Sequence, residues 1–195
     1  MFRLRDILIA LLLLLTLSWL LLLIALLLAV TQKRVLFWQE RTGFGGQPFR
    51  MVKFSTLRDI RPGEREEDDQ QRRLTPVGRW LRRFSLDELP QLWLVLVGKM
   101  SLVGPRPLLH EYWPLYSDVQ KRRFEVLPGI TGLAQVRGRN LLTFTERFEL
   151  DVAYVDGRTF GMDVRIMWET FVGVFRGRGV YADGKTTMEK FNGRN

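Results

Sequence analysis

Hydrophobic and polar positions divide the chain into two unlike parts. From Ile7 to Gln32 no side chain is charged and most are leucine, whereas beyond Lys33 the apolar residues fall in short runs and stripes between charged positions. As a helix the uncharged segment would extend roughly 39 Å, more than the roughly 30 Å hydrocarbon core of a bilayer, so it is expected to reside in a membrane. A cleaved signal peptide, with an apolar stretch of about 7–15 residues and a small-residue cleavage site, does not match it. Arg3 and Arg5 precede the segment and Lys33 and Arg34 follow it, so positive charge favours neither end as it would for a single span. Two readings stand: a simple transmembrane anchor, and a re-entrant hairpin with both ends on the cytoplasmic side. The hairpin would break near Thr16 and Ser18, whose hydroxyls can bond to backbone carbonyls and bend a helix.

Beyond this segment, Val35 to Arg41 and Phe49 to Phe54 are β-prone runs joined by a glycine-rich turn, which predicts a hairpin. Arg58 to Arg73 is almost wholly polar and reads as a loop. Thr75 followed by Pro76 opens a helix with Val77, Trp80, Leu81 and Phe84 on one face. Leu89, Leu92, Trp93, Leu96 and Val97 mark a second helix that stops at Gly98. Ser117 and Gln120 form a capping-box pattern for a third, ending before Pro128. Thr145 is expected to cap a fourth, through Val155. Asp163 starts a fifth, whose stripe of Val164, Met167, Trp168, Phe171, Val172 and Phe175 reads first as core and second as membrane-surface contact. The fold class expected is mainly α, an α+β arrangement with a short N-terminal β-hairpin, and amphipathic helices lying on the membrane.

Composition narrows the chemistry. The 195 residues include no cysteine and one histidine, His110, which excludes disulfides, thiolate and multi-histidine metal sites and a cysteine nucleophile. What remains is carboxylate, hydroxyl, lysine and arginine chemistry. A net charge of +9 calls for an anionic partner, with nucleic acid, lipid headgroups and phosphorylated substrates all open.

Four segments are candidates for a site. Gly179 to Thr186 fits the P-loop pattern, but a helical stretch precedes it and too few residues follow for the required helix. Ser85-Leu86-Asp87-Glu88-Leu89-Pro90 places two acids where a helix begins, with Pro90 harmless in the first turn. There they either complement the helix dipole or share a hard cation such as Mg²⁺. In Gly104-Pro105-Arg106-Pro107 two prolines hold Arg106 stiffly, which suits phosphate binding as well as a rigid loop. Gly129-Ile130-Thr131-Gly132 to Gly138-Arg139-Asn140 combines glycines that permit close backbone approach with the donors of Arg137, Arg139 and Asn140.

Taken together, LDELPQLW, MSLVGPRP and GITGLAQVRGRN behind an N-terminal membrane segment closely resemble the bacterial sugar transferase family. These are small monotopic phosphoglycosyl transferases that start glycan assembly on a polyprenyl phosphate. The likeness runs from about Arg3 through QERTGFGGQPF and MVKFSTL to TMEKFNGRN. RPLLHEYWPLY and the tail are most similar to the branch that loads di-N-acetylbacillosamine phosphate. The resemblance implies transfer of a sugar-1-phosphate, of an N-acetylated amino sugar, from a UDP-sugar to undecaprenyl phosphate, releasing UMP. It implies Asp87 as nucleophile in a covalent aspartyl phosphosugar, and Glu88 beside it helping Asp87 hold Mg²⁺. Lys53, Arg106 and Asp151 match polar positions of the family, and the full set of expected substrate- and phosphate-binding residues is Lys53, Arg82, Arg106, Arg139, Asn140 and Asp151. Residues 1–32 would be the re-entrant membrane helix and 33–195 a catalytic domain on the cytoplasmic face of the bacterial inner membrane. Expected partners are the two substrates and membrane lipids, with homodimerisation left open and nucleic acid not expected.

The chain departs from the family pattern at Ser18-Trp19, where a Ser-Pro break is usual, and at Leu94, Val97, Lys99 and Arg137. The competing readings are a membrane-anchored basic module that binds anionic lipid or nucleic acid without catalysis, and a scaffold with an inactive Asp-Glu pair.

Overall fold

The computed structural model describes residues 2–32, 34–60, 70–138, 141–175, 190–193 and 195. The uncharged N-terminal segment forms two helices, α1 (Phe2–Thr16) and α2 (Ser18–Thr31), bent by 61° at Leu17. The break needs no proline. Thr16 Oγ1 donates to the Leu12 carbonyl at 2.8 Å and Ser18 Oγ to the Leu15 carbonyl at 2.8 Å, drawing hydroxyls into the helical ladder on both sides of the bend.

Both arms of the bent pair are rooted in the rest of the protein. Arg3 donates to the carbonyls of Leu96 (2.9 Å) and Met100 (3.3 Å). Arg5 bridges Asp6 and Asp163 at 2.7 Å each, and the buried Asp6 accepts from Ser101 Oγ. Ala10 is buried in the main core, Ile24 and Leu28 pack with Phe54 and Leu81, and the Gln32 side chain donates to the Ser55 carbonyl at 3.3 Å. Leu11, Leu12, Leu15, Trp19, Leu22 and Leu23, flanking the bend, stay exposed.

The expected hairpin is present as β1 (Leu36–Thr42) paired antiparallel with β2 (Pro48–Phe54), with Phe37 opposite Lys53 and Arg41 opposite Phe49. The polar stretch Arg58 to Arg73, expected as a loop, ends in the short helix α3 (Gln70–Arg73). Thr75 caps α4 (Pro76–Arg83) through the Gly78 amide, as expected. A 3₁₀ turn, Leu86–Glu88, precedes α5 (Gln91–Leu96), and Gly98 takes a positive φ of 81° beyond it. β3 (Ser101–Val103), a 3₁₀ segment (His110–Leu115) and α6 (Asp118–Lys121) follow, the last with its Ser117–Gln120 capping box, and a 3₁₀ turn (Arg122–Phe124) completes the run. β4 (Gly129–Thr131) pairs parallel with β3 and leads into α7 (Leu133–Arg137).

α8 (Phe144–Gly157) is capped by Thr143, whose capping box with Glu146 displaces the expected cap at Thr145 by two residues. α9 (Phe160–Phe175) bears out the expected core reading of its stripe only in part: Met167 packs against the main core and Val172 is half-buried. Asp163 and Ile166 face inward, while Phe160, Val164, Trp168 and Phe171 are exposed. Trp80 on α4, and Trp93 on α5 with Val97 just past its end, are exposed as well, although sequence periodicity puts them with the core residues of their helices. The large apolar side chains left bare on α4, α5 and α9 are an unusual expenditure of hydrophobic surface for a face meeting water.

Candidate active site

Asp87 sits on the 3₁₀ turn between α4 and α5, and the turn is local in origin. Ser85 adopts the left-handed conformation (φ 54°, ψ 23°), at a cost of roughly 1–3 kcal/mol for a residue with a side chain. Pro90 has no N–H with which to continue an α-helical ladder back to Leu86. The amides of Glu88 and Leu89 instead bond three residues back, to Ser85 (3.2 Å) and Leu86 (3.3 Å). The expectation that the two acids open the second helix is corrected here: they occupy a separate tight turn one step before it.

Asp87 is only 6% exposed, and among the described residues no group donates a hydrogen bond to it. Burial and then the neighbouring Glu88 charge push its carboxyl up to about 6, against the opposing pull of Lys53, Arg82 and Arg106. Lys53, on β2, is pushed down to about 8 by burial and by Arg82, while Asp87 and Glu88 pull the other way; its ammonium lies 5.4 Å from the Phe37 ring centre. Arg82, on α4, donates from Nε to Thr56 Oγ1 at 3.0 Å. Thr56 is itself locked against α4, since its carbonyl accepts from the Thr75 amide at 3.1 Å and a Cβ on Gly78 would lie 2.1 Å from it. Arg106 engages both Glu88 oxygens with its two terminal nitrogens, and the Glu88 charge, with the bonds it accepts, holds this guanidinium above its ordinary value.

The loop that carries Arg106 is fixed from beneath. Gly104, Gly129 and Gly132 pack backbone to backbone: a Cβ on Gly129 would meet the Gly104 nitrogen at 2.1 Å, and one on Gly132 the Gly104 carbonyl at 2.2 Å. Close approach is thus what these glycines permit, but the approaching backbone is the Arg106 loop. Arg123, missed in the sequence, lies almost wholly buried behind that loop. It binds Asp151 Oδ2 through Nε (3.0 Å) and Nη2 (2.6 Å), donates from Nη2 to the Arg106 carbonyl at 2.8 Å, and lies 4.9 Å from the Phe148 ring centre. Asp151 therefore meets Arg123 in a buried pair and reaches the Arg106 backbone only through it. Burial pushes its carboxyl up even though Arg123 pulls it down.

Of the expected site residues, the structure brings Lys53, Arg82, Asp87, Glu88 and Arg106 into one electrostatic cluster. Asp151 stands behind it. Arg139, Asn140 and the P-loop-like segment Gly179 to Thr186 lie outside the described residues. Leu94 is buried, and Val97 and Lys99 are exposed. A second missed residue is Arg41 on β1, whose guanidinium neighbours Arg106 and Glu88. Nothing in the periodicity separates Arg41 or Arg123 from surface arginines, because their burial depends on contacts more than 60 and 25 residues away.

The family model for bacterial sugar transferases matches residues 1–177. The chain belongs to the bacterial sugar transferase family. It is 47% identical over 159 residues to the uncharacterized sugar transferase EpsL of Bacillus subtilis (strain 168), covering 82% of this chain and 79% of EpsL. It is 36% identical over 196 residues to the exopolysaccharide production protein ExoY of Sinorhizobium fredii (strain NBRC 101917 / NGR234), covering 90% and 86%. The UDP-glucose:undecaprenyl-phosphate glucose-1-phosphate transferase of Klebsiella pneumoniae is 38% identical over 186 residues; the match takes in 90% of this chain but 39% of that protein.

Among the described residues no group of three acids or histidines forms a ready cage for a metal ion. Mg²⁺ does not require one, since it is commonly held by one or two carboxylates together with substrate phosphates and water. Asp87, with no hydrogen-bond donor upon it among the described residues, fits that role. Both Glu88 oxygens are engaged by Arg106, which makes its part the charge it adds beside Asp87.

Proposed function

We propose that this chain is a phosphoglycosyl transferase that moves a sugar-1-phosphate from a UDP-sugar to undecaprenyl phosphate, with Asp87 as the nucleophile. The observation that carries the reading is the state of Asp87: buried, free of hydrogen-bond donors among the described residues, and faced by Lys53, Arg82 and Arg106. An Asp87 oxygen attacks the phosphorus that bears the sugar, and the bond to the bridging oxygen breaks with its electron pair leaving on UMP. An oxygen of undecaprenyl phosphate then attacks the same phosphorus, and the bond to Asp87 breaks to regenerate the carboxylate. Like-charge repulsion between a carboxylate and a diphosphate is the main obstacle, and three cations around Asp87 offset it. Mg²⁺ would be held by Asp87 and substrate oxygens and would supply further charge neutralisation. Lys53, Arg82 and Arg106 bind and orient the phosphates; Asp151 acts through Arg123 on the Arg106 loop.

Several related proteins carry the same reaction in their names, with glucose as the sugar in the Klebsiella pneumoniae and Caulobacter vibrioides examples. The motif resemblance instead favours an N-acetylated amino sugar of the di-N-acetylbacillosamine type and hence glycoprotein assembly. Release of UMP from a panel containing both kinds of UDP-sugar, with Mg²⁺ and with or without undecaprenyl phosphate, tests the reading. Turnover that needs the lipid supports it and names the sugar; no release from any sugar by folded protein contradicts it.

The bent N-terminal pair favours re-entry over a span. Arg3 at one end and Gln32 at the other bond to the same folded domain, so both ends lie on one side of whatever the exposed bend enters. Residues 1–32 then form the membrane-embedded part and 33–195 the catalytic part, on the cytoplasmic face of the bacterial inner membrane. Exposed Trp80, Trp93, Val97, Trp168 and Phe171 suit the headgroup region, where an aromatic ring has an apolar body in lipid and a polar edge in water. The location serves the chemistry, because the acceptor phosphate rises only to the headgroups while the nucleotide arrives from water.

A further inference from the structure

We propose that Arg41 is a second phosphate-binding guanidinium of this site, placed by the hairpin register to hold a phosphate other than the one Asp87 attacks. The proposal rests on the functional reading above.

In the antiparallel pairing of β1 with β2, directly opposite residues share a face. Lys53 is opposite Phe37, and Arg41 is opposite Phe49 four residues further along β1. The two cations therefore lie on the same face, about 13 Å apart along the strand. Lys53 serves Asp87 at one end. At the other, Arg41 lies against the Pro105-Arg106-Pro107 loop, donating from Nη1 to the Pro107 carbonyl at 3.4 Å and from Nη2 to Gln39 Oε1 at 2.5 Å.

Both of these acceptors are neutral. The buried Nε of Arg41 has no partner, and no carboxylate forms an ion pair with Arg41 among the described residues. The nearest carboxylate, Glu88, is already engaged by Arg106, whose own positive charge adds to burial in pushing Arg41 down to about 10. A guanidinium desolvated beside another guanidinium, with a donor left over, is unfavourable unless an anion arrives. Counting Arg41, four cations (Arg41, Lys53, Arg82 and Arg106) face two carboxylates, an excess of positive charge that a phosphate ligand neutralises. The phosphate is either that of the departing nucleotide or that of the lipid acceptor; the binding chemistry is the same for both.

The test compares wild type with Arg41→Met and Gln39→Glu in the detergent-purified full chain. The first removes the donors. The second keeps the shape but supplies an internal carboxylate that competes for Arg41, so it serves even if Arg41→Met fails to fold. Binding of UMP and of inorganic pyrophosphate is measured by calorimetry, and KM separately for the UDP-sugar and for undecaprenyl phosphate. Both variants are expected to weaken at least one phosphate ligand about 10-fold or more, with Arg41→Lys retaining part of the binding that Arg41→Met loses. Weaker UMP binding and a raised KM for the UDP-sugar alone assign Arg41 to the nucleotide phosphate; a raised KM for the lipid alone assigns it to the acceptor. Unchanged binding and KM values in folded Gln39→Glu overturn the proposal while leaving the transferase reading intact. Loss of pyrophosphate binding in the variants of a protein that turns over no UDP-sugar upholds the anion site and overturns the transferase reading instead.

Discussion

Asp87 and Lys53 form a matched pair of displaced ionisations. Burial raises the carboxyl to about 6 and lowers the ammonium to about 8, and each also feels the other's charge. Because Lys53 must be protonated to offset phosphate charge, kcat/KM for the UDP-sugar is expected to fall as pH rises through about 8 in the free enzyme. Lys53→Arg should move that alkaline limb out of the accessible range, and an unmoved limb would separate it from Lys53. Asp87 carries a stability consequence of opposite sense to an ordinary surface acid. Its folded pKa lies above its unfolded value, so its contribution is fully present below about 4 and lost as pH rises through about 6. In chelator-treated protein at pH 7.5, Asp87→Asn should therefore melt at the same temperature as wild type or a few degrees higher, while losing about a thousandfold or more in turnover. A lower melting temperature would mean that the carboxylate is structural.

At the level of elements, the close-packed glycines under the Arg106 loop tie site geometry to the parallel β3–β4 pair. Gly129→Ala would press a methyl group onto the Gly104 nitrogen and the Thr131 carbonyl, atoms that cannot swing aside. A loss of about 1–3 kcal/mol in stability is expected, with a larger fall in kcat than in any binding constant, as read by thermal melting and steady-state kinetics. The hairpin, α4 and its Thr75 cap, and the Ser117 capping box were legible in the sequence because each rests on local chemistry: a turn, a proline, a hydroxyl. The β3–β4 pair was not, since strands of three residues carry too little alternation and their pairing is non-local. The stripes on α5 and α9 misled for another reason. Periodicity reports that a helix has an apolar face but not whether the rest of the protein covers it, and Trp93 and Trp168 are left exposed. In the site, Asp87, Glu88 and Arg106 stood out through their fixed prolines, whereas Arg41 and Arg123 gain their roles from partners distant in sequence.

For the molecule as a whole, the charged start of α1 is a built-in part of the domain. Arg5, Asp6, Asp163 and Tyr154 form a buried polar network in which Asp163 accepts from both Arg5 and the Tyr154 hydroxyl at 2.7 Å. The bend at Leu17 lies between two arms that both return to protein. In a chain without native cysteine, single cysteines at the exposed positions Leu4 and Arg34 should both react with a reagent confined to the cytoplasm. Labelling of the two from opposite sides would establish a span and remove the re-entrant reading.

The central claim, that Asp87 is a covalent nucleophile, is tested most directly by quantifying UMP released from the accepted UDP-sugar when no undecaprenyl phosphate is present. Wild type should release up to one UMP per protein and then stop, with a mass increase of one sugar phosphate on the peptide containing Asp87, and Asp87→Asn should show neither. No release until the lipid is added would contradict the account and point to direct transfer between the two substrates; a full release by Asp87→Asn would contradict it equally and point to a nucleophile other than Asp87.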